Sequence, residues 1–239
     1  MDLIKEFQAL LKQDNITIGE LSAFLLRKQA EYVHAQVEKL VQQGHPSNEA
    51  YNKASQSWRT KVGNALQSII YGVLQEYFEG KDVKLTSDKF LSEQNSKSPE
   101  LDLVRRMLLI HYDKYSFLPD ADIIIYTYRE AILQVKILAI ISIKNSFRER
   151  GFETTYWSIK LKDNPNTRHI KFFLSTPDID DEIAYITGRN GPRKMRVIME
   201  YELDGIYMLR QKDYERTEKV KGFEDLFNDI LSLVEEQTK

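Results

Sequence analysis

The chain has 239 residues, no cysteine, and 34 lysines and arginines against 36 aspartates and glutamates, for a formal net charge of −2 and a pI near 6.2. That length buries a proper core and suits one domain with an appendage, while the near-neutral charge argues against a uniformly basic coat, so any polyanion would be met in a local cleft. Lacking cysteine, the chain has no disulfide, no thiolate nucleophile and no cysteine-ligated zinc; no apolar run is long enough to span a membrane, and Met1-Asp2-Leu3-Ile4-Lys5-Glu6 is no signal peptide, so the expected location is cytoplasmic.

Residues 1 to about 55 read as a helical N-terminal extension. Thr17-Ile18-Gly19-Glu20 is a capping-box pattern, and Leu21, Phe24, Leu25, Lys28, Tyr32, Gln36, Lys39 and Leu40 form a partly apolar stripe that Gly44-His45-Pro46-Ser47 closes. The remainder, 56–239, reads as the main domain. A helix from about Tyr51 to Tyr77 carries Val62, Leu66, Ile69, Ile70, Val73 and Leu74 toward the core. Asp82 to Glu100 is polar, with a solvated loop at Ser92–Pro99, and a short helix from about Pro99 to Ile110 leads into Tyr112-Asp113-Lys114-Tyr115, a segment that packs and turns.

Ile123–Tyr126 and Leu138–Ile143 are short apolar β-branched runs, read as adjacent antiparallel strands with Thr127-Tyr128-Arg129-Glu130 turning the hairpin. Ser146 is the expected N-cap of a helix over Phe147–Lys160. Ile170–Ser175, Arg196–Glu202 and Gly205–Leu209 read as further strands, and Phe223–Glu235 as a packed terminal helix. The expected fold is therefore α/β: a central mixed β-sheet flanked by helices, with a helical N-terminal extension.

Strand side chains alternate between faces, so Asp122 at the start of one strand and Lys144 at the end of its neighbour can converge. A carboxylate there binds a hard cation such as Mg²⁺, and a lysine ammonium orients an attacking water or neutralises a phosphate. The position two residues before Lys144 is Ser142, so a second acid must come from elsewhere: Glu153 is the first candidate, with Glu149 and Asp120 as alternatives. In Arg148-Glu149-Arg150, arginine can fork to guanine O6 and N7 and glutamate can accept from cytosine N4. An isolated triplet of this kind is more often a solvated helix face; its place directly after Ser-x-Lys favours base reading. Arg193 and Lys194, in the glycine-punctuated stretch from Gly188 to Arg196, are secondary candidates for gripping phosphates, weighed evenly against a solvated hairpin connection. His34, His45, His111 and His169 lack ligand spacing, Gly205-Ile206-Tyr207 is better explained as strand, and no nucleotide-cofactor loop is present.

Pro119-Asp120-Ala121-Asp122 followed by Ser142-Ile143-Lys144 resembles the type II restriction endonucleases of the PD-(D/E)XK superfamily, in the variant with serine at the acidic position and a helix glutamate in its place. Arg148-Glu149-Arg150 resembles the R-(D/E)-R element of the CCGG-reading branch, the BsaWI- and Ecl18kI-like enzymes. The resemblance implies the restriction-endonuclease-like fold over 56–239 and Mg²⁺-dependent cleavage of double-stranded DNA by a homodimer. Asp122, Lys144 and Glu153 would be catalytic, Asp122 and Glu153 would hold the metal, and the triplet would read G·C pairs. Two departures stand out: the helix glutamate of that branch commonly falls one turn further on, at Trp157 here, and the glutamate carried by the upstream helix is Gln67. A repair or junction nuclease on the same fold, or a binding module without catalysis, are the competing expectations.

Overall fold

The computed structural model describes residues 2–13, 16–91, 98–147, 151–187, 191–211 and 213–236. Helix α1 (Leu3–Lys12) starts where the Asp2 carboxylate accepts from the Lys5 N–H at 3.2 Å. The Thr17 N–H donates to Glu20 Oε2 at 2.7 Å, and this reciprocal box opens a 3₁₀ turn that runs into α2 (Leu21–Gln42). Gly44, at φ +93°, ends α2 and lets the chain re-enter as α3 (Ser47–Phe78). Helix α3 buries Ala50, Ala54, Trp58, Val62, Leu66, Ile69, Ile70 and Leu74, a face with the three- and four-residue spacing of an α-helix. It runs unbroken through residues 55 and 56, where the sequence suggests a boundary.

The elements that follow are β1 (Lys84–Thr86), α4 (Asp88–Leu91), α5 (Pro99–Leu108), β2 (Ile110–Tyr112), β3 (Tyr115–Phe117), β4 (Ile123–Arg129), β5 (Gln134–Ile143), α6 (Gly151–Asp163), β6 (Lys171–Thr176), α7 (Lys194–Glu202), β7 (Gly205–Met208), β8 (Val220–Gly222) and α8 (Asp225–Glu235). The main sheet has the order β1-β4-β5-β6-β7-β8; β4 is antiparallel to β1 and β5, and β5 through β8 are parallel. β2 and β3 form a separate hairpin. This is the mixed, helix-flanked sheet the sequence leads one to expect.

Strand alternation divides the interior in two. Ile123, Ile125, Ile141, Phe173 and Tyr207 face one layer with α1, α2, α3 and α8, whereas Ile124, Ile140, Phe172, Leu174 and Ile206 face the layer of α5, α6 and α7. Each isoleucine fully withdrawn from water contributes about 1.5–3 kcal/mol, so a one-residue slip of β4 would forfeit several such contributions. The ladder between β4 and β5 is therefore held firmly, with one register shift at Ile125/Tyr126.

Four local expectations need correcting. Arg196–Glu202 is helical, not extended: its buried residues Met195, Arg196 and Met199 follow helical spacing, and the parallel neighbours β6 and β7 require a crossover between them. The hairpin turns later than Thr127–Glu130, because β4 continues to Arg129 and the reversal occupies Glu130–Leu133, with Leu133 left-handed at φ +49°. The polar stretch after Asp82 contains β1 and α4. Ser146 and Phe147 are irregular, not a cap and a first helical residue; helix α6 is described from Gly151, and residues 148–150 lie outside the described residues.

Candidate active site

The β4–β5 register builds the site. Ile123 pairs with Ile141 at the last rung of the β4–β5 ladder, so Asp120 and Asp122, just before β4, lie beside the end of β5 and Lys144 just after it. Lys144 Nζ lies 3.0 Å from Asp120 Oδ2 and 3.9 Å from Asp122 Oδ2. The Ile143 N–H donates to Asp122 Oδ2 at 2.7 Å, and the Lys144 N–H donates to the Ser175 carbonyl at 3.2 Å, so both residues are fixed through the main chain. Burial pushes the Asp122 carboxyl up to about 6 from an ordinary value near 3.8; Lys144 and the Ile143 N–H pull it down, and Asp120 and Asp88 push it further up.

Asp88 was not among the residues the sequence singled out. Its N–H donates to the Ala121 carbonyl at 3.1 Å, which docks the start of α4 beside Asp120 and Asp122. Burial raises its pKa, and Asp120 adds to that rise. Gln67 on α3 is a second newcomer: its Nε2 donates to the Asp122 carbonyl at 2.8 Å, and its Oε1 accepts from Lys89 Nζ at 2.8 Å. Ser87-Asp88-Lys89 offers no periodicity to read, whereas Gln67 stands out in sequence only as an amide where the resembling enzymes carry a carboxylate.

The buried face of α6 carries Gly151, Thr154, Thr155, Ser158 and Leu161: Thr154 Oγ1 lies 3.2 Å from Ser142 Oγ on β5, whereas Gly151 lies against Met195 and Ser158 donates to the Glu202 carbonyl, both on α7. Glu153 is one position, about 100°, off that face and is exposed; among the described residues no hydrogen bond or ion pair joins it to Asp122 or Lys144. Trp157, one turn on, is half-buried with its indole N–H unpartnered among the described residues. Arg148, Glu149 and Arg150 lie outside the described residues; just before them, the Phe147 N–H donates to Asp180 Oδ2 at 2.9 Å. Arg193 and Lys194 are exposed at the N-terminus of α7, with Lys194 Nζ 5.9 Å from the Phe152 ring centre. Arg196, by contrast, is buried and pairs with Glu200 and the carbonyls of Ile183 and Glu215, a structural role.

Among the described residues no three His, Asp or Glu side chains group tightly enough to enclose a metal ion. The donor set nevertheless suits a hard divalent cation of the kind that keeps several waters and needs only one or two carboxylates. Among the described residues both contacts of the Asp122 carboxylate fall on Oδ2, and burial beside further carboxylates is a condition that added positive charge relieves.

The chain is 48% identical over 216 residues to the putative type II restriction enzyme MjaVIP of Methanocaldococcus jannaschii, covering 90% of this chain and 94% of that protein. It is 37% identical over 183 residues to the probable type II restriction enzyme HpyAORF263P of Helicobacter pylori, covering 77% and 92%. Its fold matches restriction endonuclease PspGI, solved in complex with substrate DNA, at a TM-score of 0.61 and 16% identity over 98% of this chain and 92% of that one. A helix-flanked mixed sheet with a lysine and aspartates at its strand ends is thus the framework of a type II restriction endonuclease, an enzyme class that cleaves DNA at specific sites. Within that class the chain belongs to the BsaWI restriction endonuclease type 2 family, whose pattern matches residues 94–229. Enzymes of this kind generally use divalent metal ions. Among the described residues no helix is long and apolar enough to cross a membrane.

Proposed function

We propose that this enzyme is a Mg²⁺-dependent nuclease of the PD-(D/E)XK superfamily that acts in the cytoplasm, cutting both strands of a palindromic DNA site with a CCGG-like core as a homodimer. The observation that carries this reading is the approach of Lys144 Nζ to Asp120 and Asp122 at the ends of β4 and β5. When bound, Mg²⁺ supplies charge neutralisation at the scissile phosphate and a water that ionises more readily. Asp122 would hold it, with the second acid drawn from Asp120, which the 3.0 Å ion pair favours, or Glu153, which the family resemblance favours.

Lys144 presents an ammonium that orients the attacking water and offsets charge on the phosphate, and its main-chain bond to Ser175 keeps the strand end in place while it does so. Arg148, Glu149 and Arg150 would follow directly from the strand that carries Lys144 and read G·C pairs in the major groove. Arg193 and Lys194, exposed at the start of α7, would meet backbone phosphates. A palindrome presents one half-site twice, so two copies related by a twofold axis would cut both strands.

Digestion of a plasmid of known sequence, with and without Mg²⁺, tests the reading. Discrete fragments that require Mg²⁺, share a CCGG-like core at their ends and vanish in Lys144→Ala support it. Binding to a defined duplex without cutting would instead make the chain a sequence-specific binding module, and ends without a common sequence would point to a structure-directed nuclease.

A further inference from the structure

The bridge from Lys89 through Gln67 to Asp122 has a chemical direction. A lysine ammonium only donates and a main-chain carbonyl only accepts, so the residue between them must accept at one end and donate at the other. An amide does both, and the two 2.8 Å contacts of Gln67 fit that sense: Oε1 toward Lys89 Nζ, Nε2 toward the Asp122 carbonyl. A carboxylate at this position could take the lysine but would face the carbonyl with a second acceptor. The ammonium also polarises the amide, strengthening the bond its far end donates. Neighbouring Leu66, Ile69 and Ile70 are fully packed into the core, so α3 offers Gln67 a rigid base.

We propose that Gln67, braced by Lys89, is a positioning residue for DNA cleavage: it fixes the main chain of Asp122 so that the carboxylate stays seated on the Ile143 N–H beside Lys144. The inference rests on the assignment of Asp122 and Lys144 to the cleavage centre. It explains why an amide stands on the helix that carries a carboxylate in the resembling enzymes, and it ties α3, α4 and the start of β4 into one frame. The Ile143 N–H supplies a local reporter, because its acceptor is the Asp122 carboxylate itself.

The test uses the full chain and the nearly isosteric Gln67→Glu, with Lys89→Met as a second variant that leaves the core untouched. Amide hydrogen exchange of the free protein, read at Ile143 and at the mid-strand controls Ile124 and Ile140, is followed by single-turnover cleavage and by duplex binding with Ca²⁺ in place of Mg²⁺. In Gln67→Glu, exchange at Ile143 should quicken by about tenfold while the controls hold. Cleavage should slow by about 10- to 100-fold with duplex affinity unchanged. Lys89→Met should shift Ile143 the same way by less. Wild-type exchange at Ile143 in Gln67→Glu would overturn the proposal, as would exchange that quickens equally at all three sites, which marks general loosening. If the wild-type protein cuts no DNA yet Ile143 responds as stated, the bridge stands and the cleavage assignment fails.

Discussion

Lys144 Nζ sits nearer to Asp120, at 3.0 Å, than to Asp122, at 3.9 Å, although Asp122 directly precedes β4 and its carboxylate also takes the Ile143 N–H. The first aspartate of the Pro-Asp-Ala-Asp sequence is therefore part of the lysine's immediate surroundings. Asp120→Asn is expected to slow cleavage by about 10²-fold, within the range for a group that acts on a proton or charge at the reacting centre. Glu153→Gln, on the exposed side of α6, should stay within about threefold of wild type, well short of a catalytic contribution on the same scale. Single-turnover rates on one cognate duplex decide between the two acids, and the reverse ranking would return the second metal-holding role to Glu153.

Asp122 also links activity to stability. Its carboxyl ionises near 6 in the folded chain against an ordinary value near 3.8, so between those pH values the folded state retains more protons than the unfolded one, and Asp122 makes stability fall as pH rises through that window. Asp122→Asn cannot ionise, and its side-chain oxygen can still accept from the Ile143 N–H. Comparing thermal melts at pH 4 and pH 8, the variant should gain on wild type by about 1–3 kcal/mol at the higher pH, while losing cleavage. A difference between variant and wild type that does not change with pH would refute the buried, charge-crowded setting of Asp122. Because a proton and a divalent cation would compete for the Asp122 carboxylate, cleavage by wild type should decline at acid pH, and the pH of that decline should move lower as Mg²⁺ is raised.

Base reading and phosphate gripping leave different signatures. If Arg148 and Arg150 fork to guanines, replacing either by alanine should cost about 1–3 kcal/mol of discrimination at one position of the site and little on unrelated DNA. Lys194→Ala should weaken binding to every sequence alike and reduce the salt dependence by about one counterion. Equilibrium titrations at several salt concentrations, on cognate and single-mismatch duplexes, separate these outcomes. Equal loss on all duplexes in Arg148→Ala would move that residue to the backbone-binding group.

What could be read in the sequence was what has a period or a register. The apolar spacing of α3 and the β-branched runs of β4 and β5 are long enough to show one, and with them came the convergence of Asp122 with Lys144. β1, α4 and β8, of three or four residues, are too short for periodicity, and so Asp88 and Lys89 went unnoticed although α4 docks on the Pro-Asp-Ala-Asp segment. Arg196-Val197-Ile198-Met199 has the apolar, β-branched look of a strand; what makes it helical is the need to cross between parallel β6 and β7, a demand that only tertiary structure states. Gln67 was visible as a departure from a family pattern, but its hydrogen bonds to residues 22 and 55 positions away could not be.

The loop that follows β6 depends on one buried acid. Asp178 has no exposed surface, and its carboxylate accepts from the N–H groups of Glu182 at 3.0 Å, Ile183 at 3.1 and 3.2 Å and Ala184 at 2.8 Å, while Arg210 Nη1 lies 3.7 Å from Oδ2 and 3.0 Å from the Asp178 carbonyl. Its backbone is left-handed, at φ +47°, a conformation aspartate and asparagine tolerate better than most residues. Asp178→Ala would strand three main-chain donors, while Arg210 keeps Asp181, Asp213 and the carbonyl of residue 178, so a loss of about 3–5 kcal/mol is expected from the unsatisfied N–H groups. Asp178→Asn keeps one acceptor oxygen and the tolerance for positive φ, and should lose only about 1–2 kcal/mol. Urea denaturation of both variants checks the ordering, and cleavage measured well below the melting temperature should be retained in Asp178→Asn. If the alanine variant proved as stable as the asparagine one, the carboxylate would not be what organises the segment between β6 and α7.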